Sequence, residues 1–421
     1  MKEIETIELP VSQEQEALDF LMEPKLATFI TDDLAALGYA GENRNKLFVY
    51  LIATSRKMKN PLACAVRGES SAGKSYLVET IMRFIPDEGK EILTRVTEKA
   101  FFYEADLSHK IIYIAEGDGC EEASYAVRAL LSEKVLRMRR TVGMRVQELV
   151  VYGPVAYIET TAGEAIEAQK ANRVFEIWVD ESEEQTLKIH EVQRENYTLK
   201  GLERNQQIHG LIEKHHNAQR LLKPLSVAIP YAMEINFPSR TVRSRRDHQR
   251  FLDLVSASAF LHQFQRPHSW LNDEEYVEAA LEDYEVAHWL MEPILLQALD
   301  DYRVKSRELL DGIYNMIRKR AAEEGKPLWN IIFTRAELAE FMGLTKRQVR
   351  THVKELEELE AIEIVRGGRG REYKYKLLCD PAADRIGSSK LLKPEELRRK
   401  LDSHLQFEST LGMEKIRMEE V

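Results

Sequence analysis

The chain has 421 residues, 44% of them apolar and 31% charged, which suits a soluble globular protein of roughly two or three domains. A formal net charge of −10 argues against a surface coated for nucleic acid, though not against local basic patches. Cys64, Cys120 and Cys379 are scattered without a C-x-x-C, the start "MKEIETIELP" lacks the apolar core of a secretion signal, and no apolar run is long enough for a bilayer. Disulfide frameworks, zinc clusters and membrane spans are thereby disfavoured, and a reducing cytoplasm is expected.

Residues 1–60 read as a helical segment. Leu18, Leu21 and Met22 share one face, Pro24 interrupts, and Leu26, Phe29 and Ile30 begin a second stripe. From 61 to 180, the short apolar runs "LACAV", "EILTRV", "IIYIA", "VAYIE" and "VFEIWV" alternate with helical stretches, the pattern of a largely parallel sheet covered by helices. Between the first run and its helix lies "RGESSAGKSYLVETI", Arg67 to Ile81, which fits G-x-x-x-x-G-K-[ST]. Small residues let successive N–H groups curl around a phosphate, Lys74 reaches the β- and γ-phosphates, and the Ser75 hydroxyl faces Mg²⁺. The following helix points its N-terminus at the anion. The expected nucleotide contacts are Gly68, Ser70, Ser71, Ala72, Gly73, Lys74, Ser75 and Tyr76, with ATP and Mg²⁺ as cofactors.

A P-loop ATPase also needs an acid at the end of a second strand. "IIYIAEGDG" ends in Ala115-Glu116, where Asp-Glu is usual, so Glu116 is the candidate to activate water and to stand near the metal with Ser75. Asp118 lies close enough to compensate through water. "GPVAYIETTA" brings Thr160 and Thr161 to a strand tip, where a polar side chain orients the attacking water; Thr161 is taken as the catalytic one. Arg173 precedes another strand and suits an arginine finger projected onto a neighbouring subunit. Residues 181–325 read as an all-α lid and helical connector, in which "SRTVRSRRDHQRFLDLV" masses Arg240, Arg243, Arg245 and Arg246; Arg246 is favoured to reach the nucleotide. His215 and His216 read as a polar helix surface rather than a metal site.

"SEKVLRMRRTVGMRVQELVVYGP" reads as a hairpin. Its strands are Val135–Arg140 and Arg145–Val151, its turn is 141–144, and its tip carries Arg137, Arg139, Arg140 and Arg145. Residues 326–379 parse as helix, turn, helix and a two-stranded wing. Ala336, Leu338, Ala339 and Phe341 pack the first helix, Gly343 turns, Thr345 caps, and Val349, Val353 and Leu356 face the core. Lys346, Arg347, Arg350 and Lys354 then face a major groove, and Arg366, Arg369 and Arg371 sit on the wing. This looks like a winged helix, a fold that binds duplex DNA or docks proteins. Residues 380–421 are a charged tail.

The ordered set of P-loop, "IIYIAEGDG", "GPVAYIETTA", "ANRVFEIWVDES" and arginine-led lid resembles the AAA+ superfamily, near the minichromosome-maintenance helicases. "ENRNKLFVYLIATSRKMKNPLA", "DLSHKIIYIAEGDGCEEASYAVRALLSE", "HNAQRLLKPLSVAIPYA" and "RSRRDHQRFLDLVSASAFLHQFQRP" are similar to the ATPase module of DNA primase-helicase proteins of phages and mobile elements. The similarity spans roughly Glu42 to Pro267. It implies an α/β P-loop AAA+ core with an all-α lid and a C-terminal winged helix-turn-helix domain. It also implies a hexameric homo-oligomer around DNA, with single strand gripped by the hairpin in a central pore and duplex at the winged helix. Members often carry a zinc finger and a primase domain for which this chain has neither cysteines nor length, so any primase is expected as a separate chain. Two functions stay open: a replicative helicase motor, or an ATP-switched DNA-binding recruitment factor with little turnover, which Ala115 favours.

Overall fold

The computed structural model describes residues 9–94, 101–102, 106–115, 121–142, 145–161, 173–237, 244–299, 304–358, 361–368, 371–378 and 391–403. They fall into two compact units. The first holds those up to Ile235, those between Arg240 and Met291, and those after Lys393; most of the second runs from Glu292 to Leu392.

The first unit is built on a sheet in the order β2 (Lys90–Leu93), β3 (Lys110–Ile114), β6 (Val155–Thr161), β1 (Ala63–Arg67) and β7 (Phe175–Trp178). Every pairing within it is parallel. β1 and β6 are buried along their whole length, which is why each opens as an apolar run, Ala63–Val66 and Val155–Ile158, rather than as an alternating pattern. Helix α1 spans Val11–Leu21, α2 Leu26–Ala36, α3 Asn43–Thr54, α4 Lys74–Met82 and α5 Glu121–Glu133. Ala63, Ala65, Ile112, Ile114 and Tyr157 share a core with Ala126, Val127 and Leu130 of α5. By the period of two, Tyr113, Ala115 and Thr160 point to the opposite face. α3 and α4 also pack on the sheet, each against β6. The apolar stripes of the first two helices are rotated from expectation. Ala17, Phe20 and Leu21, then Leu26, Ile30 and Leu34, are buried, whereas Met22 and Phe29 face solvent.

Between β3 and β6 in sequence, β4 (Val135–Val142) and β5 (Arg145–Tyr152) form a separate antiparallel ribbon. Its register runs from Val135↔Tyr152 to Val142↔Arg145. Thr141 and Val142 therefore belong to the strand and not to the expected four-residue turn, and the connection at 143–144 lies outside the described residues.

Helices α6 (Glu183–Glu195) and α7 (Leu199–Leu221) follow, N-capped by Ser182 and Thr198. α8 (Ser244–Leu261) and α9 (Leu281–Leu299) come later. The region expected to be all-α also carries a small sheet of β8 (Ser226–Ala228), β10 (Glu274–Glu278) and β9 (His268–Leu271). β9 and β10 are joined by Asn272-Asp273, both at positive φ (47° and 63°). Asn and Asp tolerate that conformation, so this dipeptide between short strands was a legible hairpin signal. Among the described residues no helix is long and apolar enough to cross a membrane.

His215 is not on a polar surface: it is fully buried. Its ring stacks on Phe84 at 3.7 Å, Nδ1 meets the Tyr50 hydroxyl at 3.2 Å, and Nε2 meets Asp33 Oδ2 at 2.9 Å. These contacts join α7 to α2 and α3, a tie that hydropathy patterning does not reveal.

The second unit comprises α10 (Val304–Glu324), β11 (Phe333–Thr334), α11 (Arg335–Met342), α12 (Lys346–Glu358) and a hairpin of β12 (Ile362–Gly368) and β13 (Arg371–Leu377). Thr334 and Glu337 form a capping box, Gly343 takes the left-handed conformation at φ 64°, and Thr345 and Gln348 bond reciprocally at the start of α12. Leu338, Val349, Val353 and Leu356 are buried as expected, but Ala336 and Phe341 are exposed. α10, read from sequence as connector, gives Leu309, Leu310, Ile313 and Ile317 to the same core.

Burial pushes the His215 imidazole down to about 4 from its ordinary 6.5, despite the Asp33 carboxylate beside it. The unfolded chain then binds the proton more readily than the folded one, so stability falls as pH drops from 6.5 towards 4. Asp253, raised to about 6 by burial, acts in the opposite sense over the same window. The expected result is therefore differential. Urea midpoints of the wild type should fall more steeply between pH 6.5 and 4.5 than those of His215→Gln, measured side by side.

Candidate functional site

The loop after β1 is shaped by its backbone. Gly68 (φ 155°), Ser71 (φ 68°) and Gly73 (φ 91°) all take positive φ, a conformation that glycine adopts without strain and serine only rarely. At Gly68 a Cβ would sit 2.6 Å from Val179 Cγ2 and 2.8 Å from Glu181 Oε1, so this position has no room for a side chain. Gly73 is the N-cap of α4 and has no side chain with which to cap it, leaving the first-turn N–H groups open to an anion. The Lys74 ammonium lies inside the curl, donating to the carbonyls of Gly68 (2.9 Å) and Glu69 (2.5 Å). Ser70 and Ser71 are exposed, while Ala72, Gly73 and Ser75 are partly buried.

Beside the loop, Tyr76 stacks on Tyr39 with ring centroids 5.6 Å apart. The Tyr39 hydroxyl donates to Glu42 (2.8 Å), which also accepts from Asn45 (2.7 Å) and the Asp180 N–H (3.2 Å). Burial raises the Glu42 carboxyl above its ordinary range, with these hydrogen bonds opposing. Tyr39, Glu42 and Asn45 were missed from sequence. The signal available was the left-handed turn chemistry of "GYAGEN", where Gly38, Gly41 and Glu42 all take positive φ.

At the strand ends, the Thr160 hydroxyl donates to the Ala115 carbonyl, tying the tip of β6 to the tip of β3. Tyr113, fully buried in β3, turns its phenol towards the hydroxyls of Ser75 and Thr160 without completing a hydrogen bond of ordinary geometry. Burial raises that phenol above its usual value, so it stays protonated. Thr161 is in register with Arg67 and has the parity of Tyr157, which packs towards α5. Thr160 is thus the threonine on the P-loop side, where sequence had favoured Thr161. Glu116 and Asp118 lie outside the described residues. Among the described residues no group of three His, Cys, Asp or Glu is placed to hold a metal. The donor set still fits Mg²⁺, which is held by a few protein oxygens together with nucleotide phosphates and water, and Ser75 supplies one such oxygen.

Arg173 precedes β7, whereas the P-loop follows β1, and the two strands run parallel in register from Cys64↔Phe175 to Arg67↔Trp178. Arg173 therefore sits at the other end of the sheet from its own P-loop, about 15 Å away at 3.3 Å per residue. Its Nε donates to Ser132 of α5 at 2.6 Å. Burial and the nearby guanidiniums of Arg246 and Arg128 hold its pKa below the usual arginine range, with Glu133 opposing. The start of α8 is fixed there by Arg250, which donates to the Val174 carbonyl at 2.5 Å and lies over Phe175. Arg246, expected to reach the nucleotide from a lid, lies near enough to Arg173 to lower its pKa, as does Arg128, which the sequence did not single out. Arg240 and Arg243 lie outside the described residues.

On the β4–β5 ribbon, Arg137 and Arg139 share a face by the period of two and are exposed. Arg139 pairs with Glu148 across the ribbon at 3.4 Å, and Arg137 stands opposite Val150, midway along rather than at the tip. Arg140 and Arg145 are strand residues whose side chains lie outside the described set. In the second unit, Arg350 and Lys354 are exposed one helical turn apart on α12, while the side chains of Lys346, Arg347 and Arg371, and all of Arg369, lie outside it.

A family model described as the MTBMA_p00010 P-loop domain matches residues 8–215. The chain thus carries a P-loop domain, which implies nucleotide binding. No curated protein matches the chain. A solved structure described as the A form apo structure of the NrS-1 C-terminal region is similar at 12% identity, covering 90% of this chain and 78% of that chain with a TM-score of 0.33.

Two alanine substitutions separate shape from conformation in the loop. Gly73→Ala meets nothing within 4 Å, so only the φ of 91° penalises it, by about 1–2 kcal/mol, or about five- to thirtyfold in nucleotide affinity. Gly68→Ala adds the collision with Val179 and Glu181 and should weaken binding further, read by titration of a fluorescent nucleotide.

Proposed function

We propose that this protein is an ATP-driven DNA motor of the AAA+ type. It has a helical lid augmented by the small β8–β10–β9 sheet, and a C-terminal winged helix-turn-helix domain. The observation that carries the reading is the placing of the nucleotide loop and the Arg128–Arg173–Arg246 cluster at opposite ends of one parallel sheet. Such a sheet cannot bring its own arginines to its own phosphates. A second copy, stacked head to tail, can, and head-to-tail contacts close into a ring where the rotation between copies closes.

In this reading the N–H groups of Ser71 to Ser75 hold the phosphates and Lys74 lies against the outer ones. Ser75 offers its oxygen to Mg²⁺, which when bound shields the phosphate charge. Glu116 takes the proton of the attacking water, Thr160 and Thr161 line the strand tips beside it, and Arg173 with Arg246 stabilises the transferring group from the neighbouring copy. The β4–β5 ribbon, with Arg137 and Arg139 on one face, grips single-stranded DNA by its phosphates. Arg350 and Lys354 of α12 place the second unit on duplex. The biological setting would be replication of a phage or mobile element in the cytoplasm, as a hexamer, with priming supplied by another chain. Ala115 favours a second reading, an ATP-loaded DNA-binding switch with little turnover.

Steady-state ATP hydrolysis with and without single-stranded DNA, beside strand displacement, separates the two. The motor predicts turnover that rises with DNA, is lost in Lys74→Ala, and accompanies displacement; ATP binding without turnover or displacement would leave the switch. Removing Arg137 or Arg139 should weaken DNA binding and flatten the log–log salt dependence by about 0.7 for each phosphate no longer neutralised, measured by fluorescence anisotropy across salt concentrations.

A further inference from the structure

The Tyr113 hydroxyl is in an expensive place. It is fully buried, and it completes no hydrogen bond of ordinary geometry although two hydroxyls face it. An unsatisfied buried hydroxyl is destabilising, and phenylalanine of the same shape would not incur that cost. Tyr113 lies two residues before Ala115, on the same face of β3, so it projects beside the place where the missing carboxylate would have stood.

The donors and acceptors around it run in one direction. The Thr160 hydroxyl gives its proton to the Ala115 carbonyl, leaving its oxygen lone pairs free to accept. The Tyr113 hydroxyl lies beside the Thr160 and Ser75 hydroxyls, so its O–H can turn to donate to the Thr160 oxygen while its own oxygen takes the Ser75 proton. A Ser75 that gave its proton inward in this way would present its lone pairs outward. A serine ligating a cation must have that orientation, because a lone pair, not a proton, has to face the metal.

We propose that Tyr113 is a positioning residue for the metal. In a chain of hydroxyls, Ser75 donates to Tyr113, Tyr113 to Thr160 and Thr160 to the Ala115 carbonyl, turning the Ser75 oxygen towards a divalent cation bound with the nucleotide. This orients the metal site from behind, where Ala115 supplies no carboxylate. The inference rests on the reading of this loop as a nucleotide–Mg²⁺ site.

The test is binding of a fluorescent ATP analogue to the full chain, titrated with Mg²⁺ and repeated in EDTA, for wild type, Tyr113→Phe and Thr160→Val. Both variants should need about tenfold more Mg²⁺ for half-maximal binding, the usual scale for losing a partner behind a metal ligand. The affinity of Tyr113→Phe in EDTA should stay at the wild-type value, and this variant, relieved of a buried unsatisfied hydroxyl, should melt no lower than the wild type. Thr160→Val breaks the chain at another link, so the result does not hang on one variant's folding. An unchanged Mg²⁺ midpoint in both variants would overturn the proposal, as would equal losses with and without metal, which would make Tyr113 a packing residue. Failure of the wild type to bind the analogue under any condition would overturn the nucleotide reading itself, and this inference with it.

Discussion

Parallel pairing of β1 with β6 and β7 is the constraint on which the rest depends. It sends the P-loop, the Thr160 tip and the end of β3 to one edge of the sheet, and the start of β7 to the other. Strand polarity, rather than any single contact, therefore separates Lys74 and Ser75 from Arg173. The separation cannot be undone by a side-chain rotation, because an arginine reaches about 7 Å and a β7-length offset is about twice that. An arginine cluster at that edge is useful to a phosphate only if the phosphate belongs to another molecule.

The local energetics are consistent with that division. The nucleotide edge is built from backbone: three positive φ values, a collision-limited glycine and an open helix N-terminus. The opposite edge is built from charge, with Arg173, Arg246 and Arg128 close enough to raise the cost of ionisation and Glu133 only partly offsetting it. Like charges held together in this way are stabilised by an incoming anion. The chain's net charge of −10 thus coexists with a concentrated basic site, and global charge says little about local chemistry.

Much of this was legible in the sequence, and what was not has physical reasons. The P-loop, the parallel strands and the ribbon follow from local rules: apolar runs, turn chemistry and a spaced motif. The β9–β10 hairpin was overlooked because its strands are short and largely exposed, so they lack an apolar run, and only Asn272-Asp273 marks it. Long-range placement was harder. Nothing local distinguishes Thr160 from Thr161, or tells that Arg246 sits by Arg173, because those facts depend on strand parity and on where α8 begins. His215 looked like surface because its neighbours in sequence are polar, while its actual neighbours, Phe84, Tyr50 and Asp33, come from distant segments. Tyr113 was hidden inside an apolar strand, where a tyrosine reads as one more large side chain.

In the proposed ring, one copy's P-loop works with the next copy's arginines. Complementation between two dead variants tests it most directly. Lys74→Ala and Arg173→Ala should each be inactive in ATP hydrolysis, and mixing them should restore turnover, because some interfaces then pair an intact Lys74 from one copy with an intact Arg173 from the other. If the mixture stays as inactive as its components while both variants still assemble with each other, the shared site would be contradicted and the nucleotide would have to be served by residues of a single copy.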